Sequence, residues 1–173
     1  LNCPRVDTIV TMDRLWLENR WEQLQPMAVP THARRSAIQN IQERPPWVNV
    51  FECDWRSSVP SLEAGTLNGT SSGMCALNLA LQMNPRRVVM FGFDMCINPV
   101  DGAAYWFTSY RWIGTRKKSG TQYKTWADQF MPLTDAFIKA GVEVVNASLV
   151  SKIPNFERVD PRAFDLFING LLM

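Results

Sequence analysis

The chain has 173 residues, 46% of them hydrophobic and 20% charged, and a formal net charge of +2. These proportions suit a single globular domain with its own core and exclude a disordered, collagen-like or coiled-coil chain. No run approaches the roughly 18 apolar residues of a membrane span, and so small a basic excess does not by itself imply a polyanion such as nucleic acid.

In chain order, the β-branched run Val6 to Thr11 predicts a strand, and Arg14 to Leu24, with Leu15, Trp16 and Leu17 among charges, predicts a helix. Met27 to Val29 reads as a brief strand between prolines. Thr31 can cap a polar helix from His32 to Glu43 that Pro45 and Pro46 must stop. Trp47 to Phe51 is the next strand, and residues 54 to 70, rich in Ser, Gly, Pro and Thr, form an irregular loop. Ser71 to Met83 has Met74, Leu77 and Leu81 on one face with small and apolar residues beside them, the pattern of a helix buried on most sides. Val88 to Phe93 has no polar alternation and predicts a strand covered on both faces, central to a parallel sheet.

The stretch Cys96 to Tyr123 is long for a connection, and loops of that length are more often functional than inert. Thr125 to Ala140 predicts a helix, kinked or started by Pro132 and closed by Gly141. Val142 to Val145 is the last strand, and Asp160 with Pro161 can open a final helix containing Phe164, Leu166 and Phe167. Strands alternating with helices imply right-handed crossovers and a mostly parallel sheet with helices on both faces, a single Rossmann-like three-layer domain over residues 1–173. Ligands of such sheets bind beyond the carboxyl ends of the strands.

The cysteines Cys3, Cys53, Cys75 and Cys96 have no CxxC spacing and read as reduced thiols; with His32 the only histidine, a zinc site of ordinary ligands is hard to build. His32 itself reads as a surface residue. Asn68-Gly69-Thr70 and Asn146-Ala147-Ser148 match the glycosylation sequon by chance.

Three segments carry candidate chemistry. Asn68, Gly69, Thr70, Ser71, Ser72 and Gly73 lie where a helix begins, so free amides, hydroxyls and glycines can cradle phosphate oxygens or simply cap the helix. Asp94 ends a buried strand, where a carboxylate can bind a ribose hydroxyl, a metal or a reacting hydroxyl, or cap a turn. The loop with Tyr105, Trp106, Phe107, Tyr110 and Trp112, interleaved with Arg111 and followed by Thr115, Arg116, Lys117 and Lys118, suits a base, a sugar or a phosphate chain, or else forms a hydrophobic cluster with a solvated rim. Asp13, after the first strand, is a site residue or a cap.

In this order, Ser72-Gly73 opening SGMCALNLAL, then RRVVMFGFDM, a Tyr-Trp-Phe loop and GVEVVNAS resemble bacteriophage proteins related to the bacterial family-42 sialyltransferases, and the same core also resembles the archaeal-type 6-hydroxymethylpterin diphosphokinases, over roughly residues 66 to 156. The resemblance implies a nucleotide-sugar site in which Thr70 to Gly73 hold the nucleotide, Asp94 lies beside it and Tyr105 supports the departing phosphate; Trp106, Tyr110, Arg111 and Thr115 of the aromatic and basic loop are the candidate substrate contacts. Departures accompany it. The family's catalytic histidine is replaced by residues of the Tyr105-Trp-Phe-Thr-Ser-Tyr110 loop and by Thr115, Cys96 stands where a second tyrosine is expected, and the family's glycine-rich first turn and its strand would precede Leu1.

The expectation is therefore a phage-type glycosyltransferase-like domain that binds a nucleotide or nucleotide sugar, inactive or truncated, with Asp94 and Tyr105 as its catalytic candidates. It has no resident cofactor, no metal and no membrane partner, and acts in the cytoplasm of a bacterial host. Two alternatives remain open: a degenerate fold serving as a binding or virion-associated structural protein, as a homo-oligomer or in the virion, and pyrophosphoryl transfer to a pterin with Mg²⁺ held by carboxylates such as Asp94 and Asp101.

Overall fold

The computed structural model describes residues 6–97, 99, 102 and 120–162. The chain divides into two compact units, Leu1–Met83 and Asn84–Met173.

In the first unit, β1 (Ile9–Thr11), β2 (Thr31–Arg34) and β3 (Val48–Phe51) form a parallel sheet in that order. Helix α1 (Arg14–Leu24) follows β1 directly because Asp13, in extended conformation, accepts a hydrogen bond from the Trp16 amide at 3.0 Å. Leu17 and Leu24, seven residues apart and so on one helical face, are buried with Ala33 and Val48 of the sheet, flanked by Ile9, Trp16, Trp21 and Trp47. The other side of the sheet is covered by α2 (Ser72–Met83), whose Cys75 is buried with Phe51 and Leu67 beside Val10, Met12 and Leu79. A helix on each face of a parallel sheet is the layered arrangement the alternation of elements predicts.

Two expectations fail in this unit. Met27 to Val29 is not a strand: a 3-10 helix runs over Gln25–Met27, and Ala28 takes a left-handed conformation at φ 47°. The residues from His32 onward do not start a helix either; Thr31–Arg34 is the middle strand β2, and a 3-10 turn follows over Arg35–Ala37. Its inward residues, Thr31 and Ala33, are fully buried, but they are small and one is polar, so they leave no apolar stripe to announce a strand.

The long loop between β3 and α2 is irregular, as expected, yet it is tied down by two amides of α2. Buried Asn78 accepts hydrogen bonds from the amides of Ser61 (2.9 Å) and Asn68 (2.8 Å) and donates to the Ser61 carbonyl, while Gln82 donates to the carbonyls of Ser61, Glu63 and Thr66. These bonds supply partners for loop backbone that no sheet ladder satisfies.

In the second unit, β4 (Arg87–Met90), β5 (Glu143–Asn146) and β6 (Glu157–Arg158) form a second parallel sheet. The described strands thus make two three-stranded sheets in place of one, and β5 is the middle strand of the second, not the run from Val88. β4 stops at Met90 because the backbone bends at Phe91 and Gly92, the latter at φ 73°, a conformation glycine adopts without strain. Phe91 is 55% exposed, which explains why an uninterrupted apolar run does not here mean coverage on both faces.

The helix expected over Thr125 to Ala140 is two helices, α3 (Gly120–Asp128) and α4 (Met131–Lys139), with Pro132 in the first turn of the second, where its missing N–H costs nothing. Gly141, at φ 68°, closes α4, its amide reaching the Ile138 carbonyl and that of Val142 the Phe137 carbonyl. Asp160 accepts from the Arg162 amide at 2.9 Å as a cap would; Phe164, Leu166 and Phe167 lie outside the described residues. Among the described residues no helix is long and apolar enough to cross a membrane.

Candidate functional site

The six residues Asn68 to Gly73 enter α2 at the carboxyl end of β1. The connection is direct: the Met12 amide, just past β1, donates to the Ser72 hydroxyl at 3.0 Å. Ser71 caps the helix by accepting from the Met74 amide at 3.3 Å, and Thr70 donates to the Met74 sulfur at 3.2 Å. Asn68 spans the loop, accepting from the Asp54 amide and donating to the Val59 carbonyl. Gly69 is required sterically: a Cβ there would stand 2.7 Å from Met74 Cβ and 3.1 Å from the Cys75 nitrogen. The loop therefore lies against the first turn of α2, with hydroxyls and amides gathered at a helix N-terminus.

The same edge of the sheet collects residues that sequence reading left aside. Arg34 ends β2, half-buried, and makes no ion pair with the described residues, whereas the adjacent Arg35 pairs with Glu52. Its charge acts on the thiols of Cys53 and Cys75, both of which reach the Gly69 carbonyl. A cation thus stands near the loop at the carboxyl end of the middle strand. It was missed because residues 32 to 43 read as a polar helix; an Arg at the tip of a short strand has no signature apart from its pairing. Asp13 is the cap of α1, its other reading.

His32 is not a residue of a surface helix. It projects from β2 into a cavity of about 410 Å³ that Arg44, Asn49, Phe51, Leu79 and Gln82 also line. Its pairing residues, Val10 and Asn49, share that face of the sheet. Burial lowers its pKa below the ordinary histidine value, which keeps the imidazole neutral near pH 7.

Asp94 lies in the second unit, four residues beyond the end of β4. Ser148 donates a short hydrogen bond to its carboxylate, and its carbonyl accepts from the Lys152 amide at 2.8 Å. Asn146, fully buried, donates to the Phe93 carbonyl at 3.1 Å and to the Ser151 hydroxyl at 2.9 Å, and Ser151 donates to the same carbonyl at 2.7 Å. The segment Asn146-Ala147-Ser148 is therefore the support of the Phe93-Asp94 turn, and a buried Asn146 is no glycan acceptor in the folded chain. Next to it, Met95, Cys96, Tyr123, Lys124 and Lys152 line a cavity of about 480 Å³. We expect Asn146→Ala to lower stability by about 1–3 kcal/mol, because it strips one partner from the half-buried Phe93 carbonyl and one from the buried Ser151 hydroxyl; a urea-unfolding midpoint unchanged from the parent would show that the turn does not need this network.

Tyr105, Trp106, Tyr110, Arg111 and Thr115 lie outside the described residues, as does Asp101. Among the described residues no group of three or more His, Cys, Asp or Glu side chains could hold a metal ion. No protein-family model, no curated protein and no solved structure matches the chain.

Proposed function

We propose that the chain is a glycosyltransferase-like domain of the Rossmann-like type that binds the phosphate of a nucleotide or nucleotide sugar at the loop Asn68 to Gly73. The observation that carries this reading is Arg34. A half-buried guanidinium without a carboxylate partner among the described residues stands at the carboxyl end of a parallel strand, beside a loop that opens a helix. A helix dipole and a cation at one place favour the same ligand, an anion, and the guanidinium fork matches phosphate in a bidentate manner. The carboxyl edge of a parallel sheet is also where ligands of such folds bind.

A second reading has its own support. Ser71, Ser72, Thr70 and Asn68 all spend side-chain atoms on the protein itself, which is what a purely structural loop would do. On that reading the chain is a structural or virion-associated protein that keeps the fold without the ligand.

Titration with CMP, UDP, GDP and ATP separates the two. Under the first reading at least one nucleotide binds, Arg34→Gln weakens it by about tenfold to a hundredfold, the worth of one charge-assisted hydrogen bond, and Gly73→Val abolishes it in a protein with unchanged circular dichroism. No binding by the parent, or binding indifferent to both substitutions, leaves the structural reading standing.

A further inference from the structure

We propose that Cys53 and Cys75 are a redox-active dithiol that hydroperoxides oxidise to a reversible disulfide, with Cys53 the attacking and Cys75 the resolving thiol. Their sulfurs are 4.0 Å apart, one just past β3 and the other in the first turn of α2. Closing to a bonded pair, at about 2.0 Å, needs an approach of about 2 Å by two side chains.

The roles follow from the surroundings. Cys53 is half-buried and so open to a small oxidant, while Cys75 is fully buried. The hydrogen bond shared with Cys75 and the charge of Arg34 lower the Cys53 thiol to about 7 against the opposing effect of burial. The thiolate is the reactive form, so Cys53, the thiol shifted down, is the more nucleophilic of the two. Cys75 is shifted the other way, by its hydrogen bond to Cys53 and by burial, and rests as a thiol within reach of the Met12 sulfur at 3.3 Å and the Leu67 carbonyl at 3.5 Å. Cys96, the other described cysteine, has its thiol pushed up by burial and by the charge of Asp94.

The chemistry balances with a hydroperoxide as oxidant. The Cys53 thiolate attacks the outer peroxide oxygen, the O–O bond breaks, and the departing alkoxide takes up the proton that Cys53 had lost, leaving a sulfenic acid. The Cys75 sulfur then attacks the Cys53 sulfur. An S–S bond forms, the S–O bond breaks, and the Cys75 proton leaves with the hydroxyl as water. The two thiols together lose two electrons and two protons, the peroxide gains them, and a dithiol reductant reverses the change. The inference does not depend on nucleotide binding.

The test is to treat the reduced full chain with hydrogen peroxide, block the remaining thiols with N-ethylmaleimide and map the digested peptides by mass spectrometry. The expected product is a Cys53–Cys75 cross-linked peptide, lighter by two hydrogens and lost on reduction. Cys53→Ser should remove it completely, and Cys75→Ala should leave Cys53 as a sulfenic acid trapped by dimedone. Linkage of other cysteines ahead of this pair, or peroxide consumption in Cys53→Ser at the parent's rate, overturns the proposal. The peptide map of the parent decides the matter by itself should Cys75→Ala fail to fold.

Discussion

Phe51→Ala is expected to lower the free energy of unfolding by about 3–5 kcal/mol, the usual cost of emptying a buried aromatic site. Phe51 is 2% exposed and is buried with Leu67 and Cys75, so its ring holds β3 against the start of α2. It also lines the cavity that His32 enters, which limits how far the surroundings can collapse into the vacated space. Since a domain has only about 5–15 kcal/mol in all, the loss consumes a large share of the margin. Denaturant unfolding followed by fluorescence checks it, with Val59→Ala, at a position 61% exposed, as the control expected to change by no more than about 0.5 kcal/mol. A Phe51→Ala protein within about 1 kcal/mol of its parent would mean that α2 is held chiefly by the loop bonds of Asn78 and Gln82 instead.

The parts that were legible in the sequence are those where apolar spacing and stop signals agree. Helix α2 is one, since Met74, Cys75, Leu77 and Leu81 are all buried and the chain turns at Asn84 before Pro85. The closing of α4 at Gly141 is another, because a left-handed backbone there favours the one residue without a Cβ. What escaped has weak local chemistry. β2 buries a threonine and an alanine, and β6 is two exposed residues, Glu157 and Arg158, recognisable only through their pairing with Val145 and Asn146. The site follows the same division. A serine and glycine loop before a helix is visible in the sequence, whereas the place of Arg34 at the carboxyl end of a middle strand is known only once β2 is seen to lie between β1 and β3. Asn146 and Ser148 carry no motif for their work, since Phe93 and Asp94, which they hold, lie more than fifty residues earlier in the chain.

The largest effect concerns catalysis, and it is negative: the chain is expected to release nucleotide from nucleotide sugars no faster than buffer, even if it binds them. A positioned general base contributes about 10²–10⁴ in rate. The residues that stand where the resemblance would place a histidine, Tyr110 and Thr115, ionise far above neutral pH in the absence of a special environment. The one histidine is held neutral by burial, but it lines a cavity on the face of the first sheet, and among the described residues no hydroxyl or carboxylate is hydrogen-bonded to it. Asp94 and Asp101 are the remaining candidates; Asp101 lies outside the described residues, and the Asp94 carboxylate is already engaged by the Ser148 hydroxyl in the turn it belongs to. CMP-, UDP- and GDP-linked sugars would each be incubated with the parent, Asp94→Asn and Tyr105→Phe, and free nucleotide followed with time. Robust release by the parent that is lost in Asp94→Asn would overturn the expectation and make Asp94 the base, while release lost only in Tyr105→Phe would place the chemistry in support of the leaving phosphate. Release at the buffer rate, together with measurable nucleotide affinity, is the result that a binding domain stripped of its base requires.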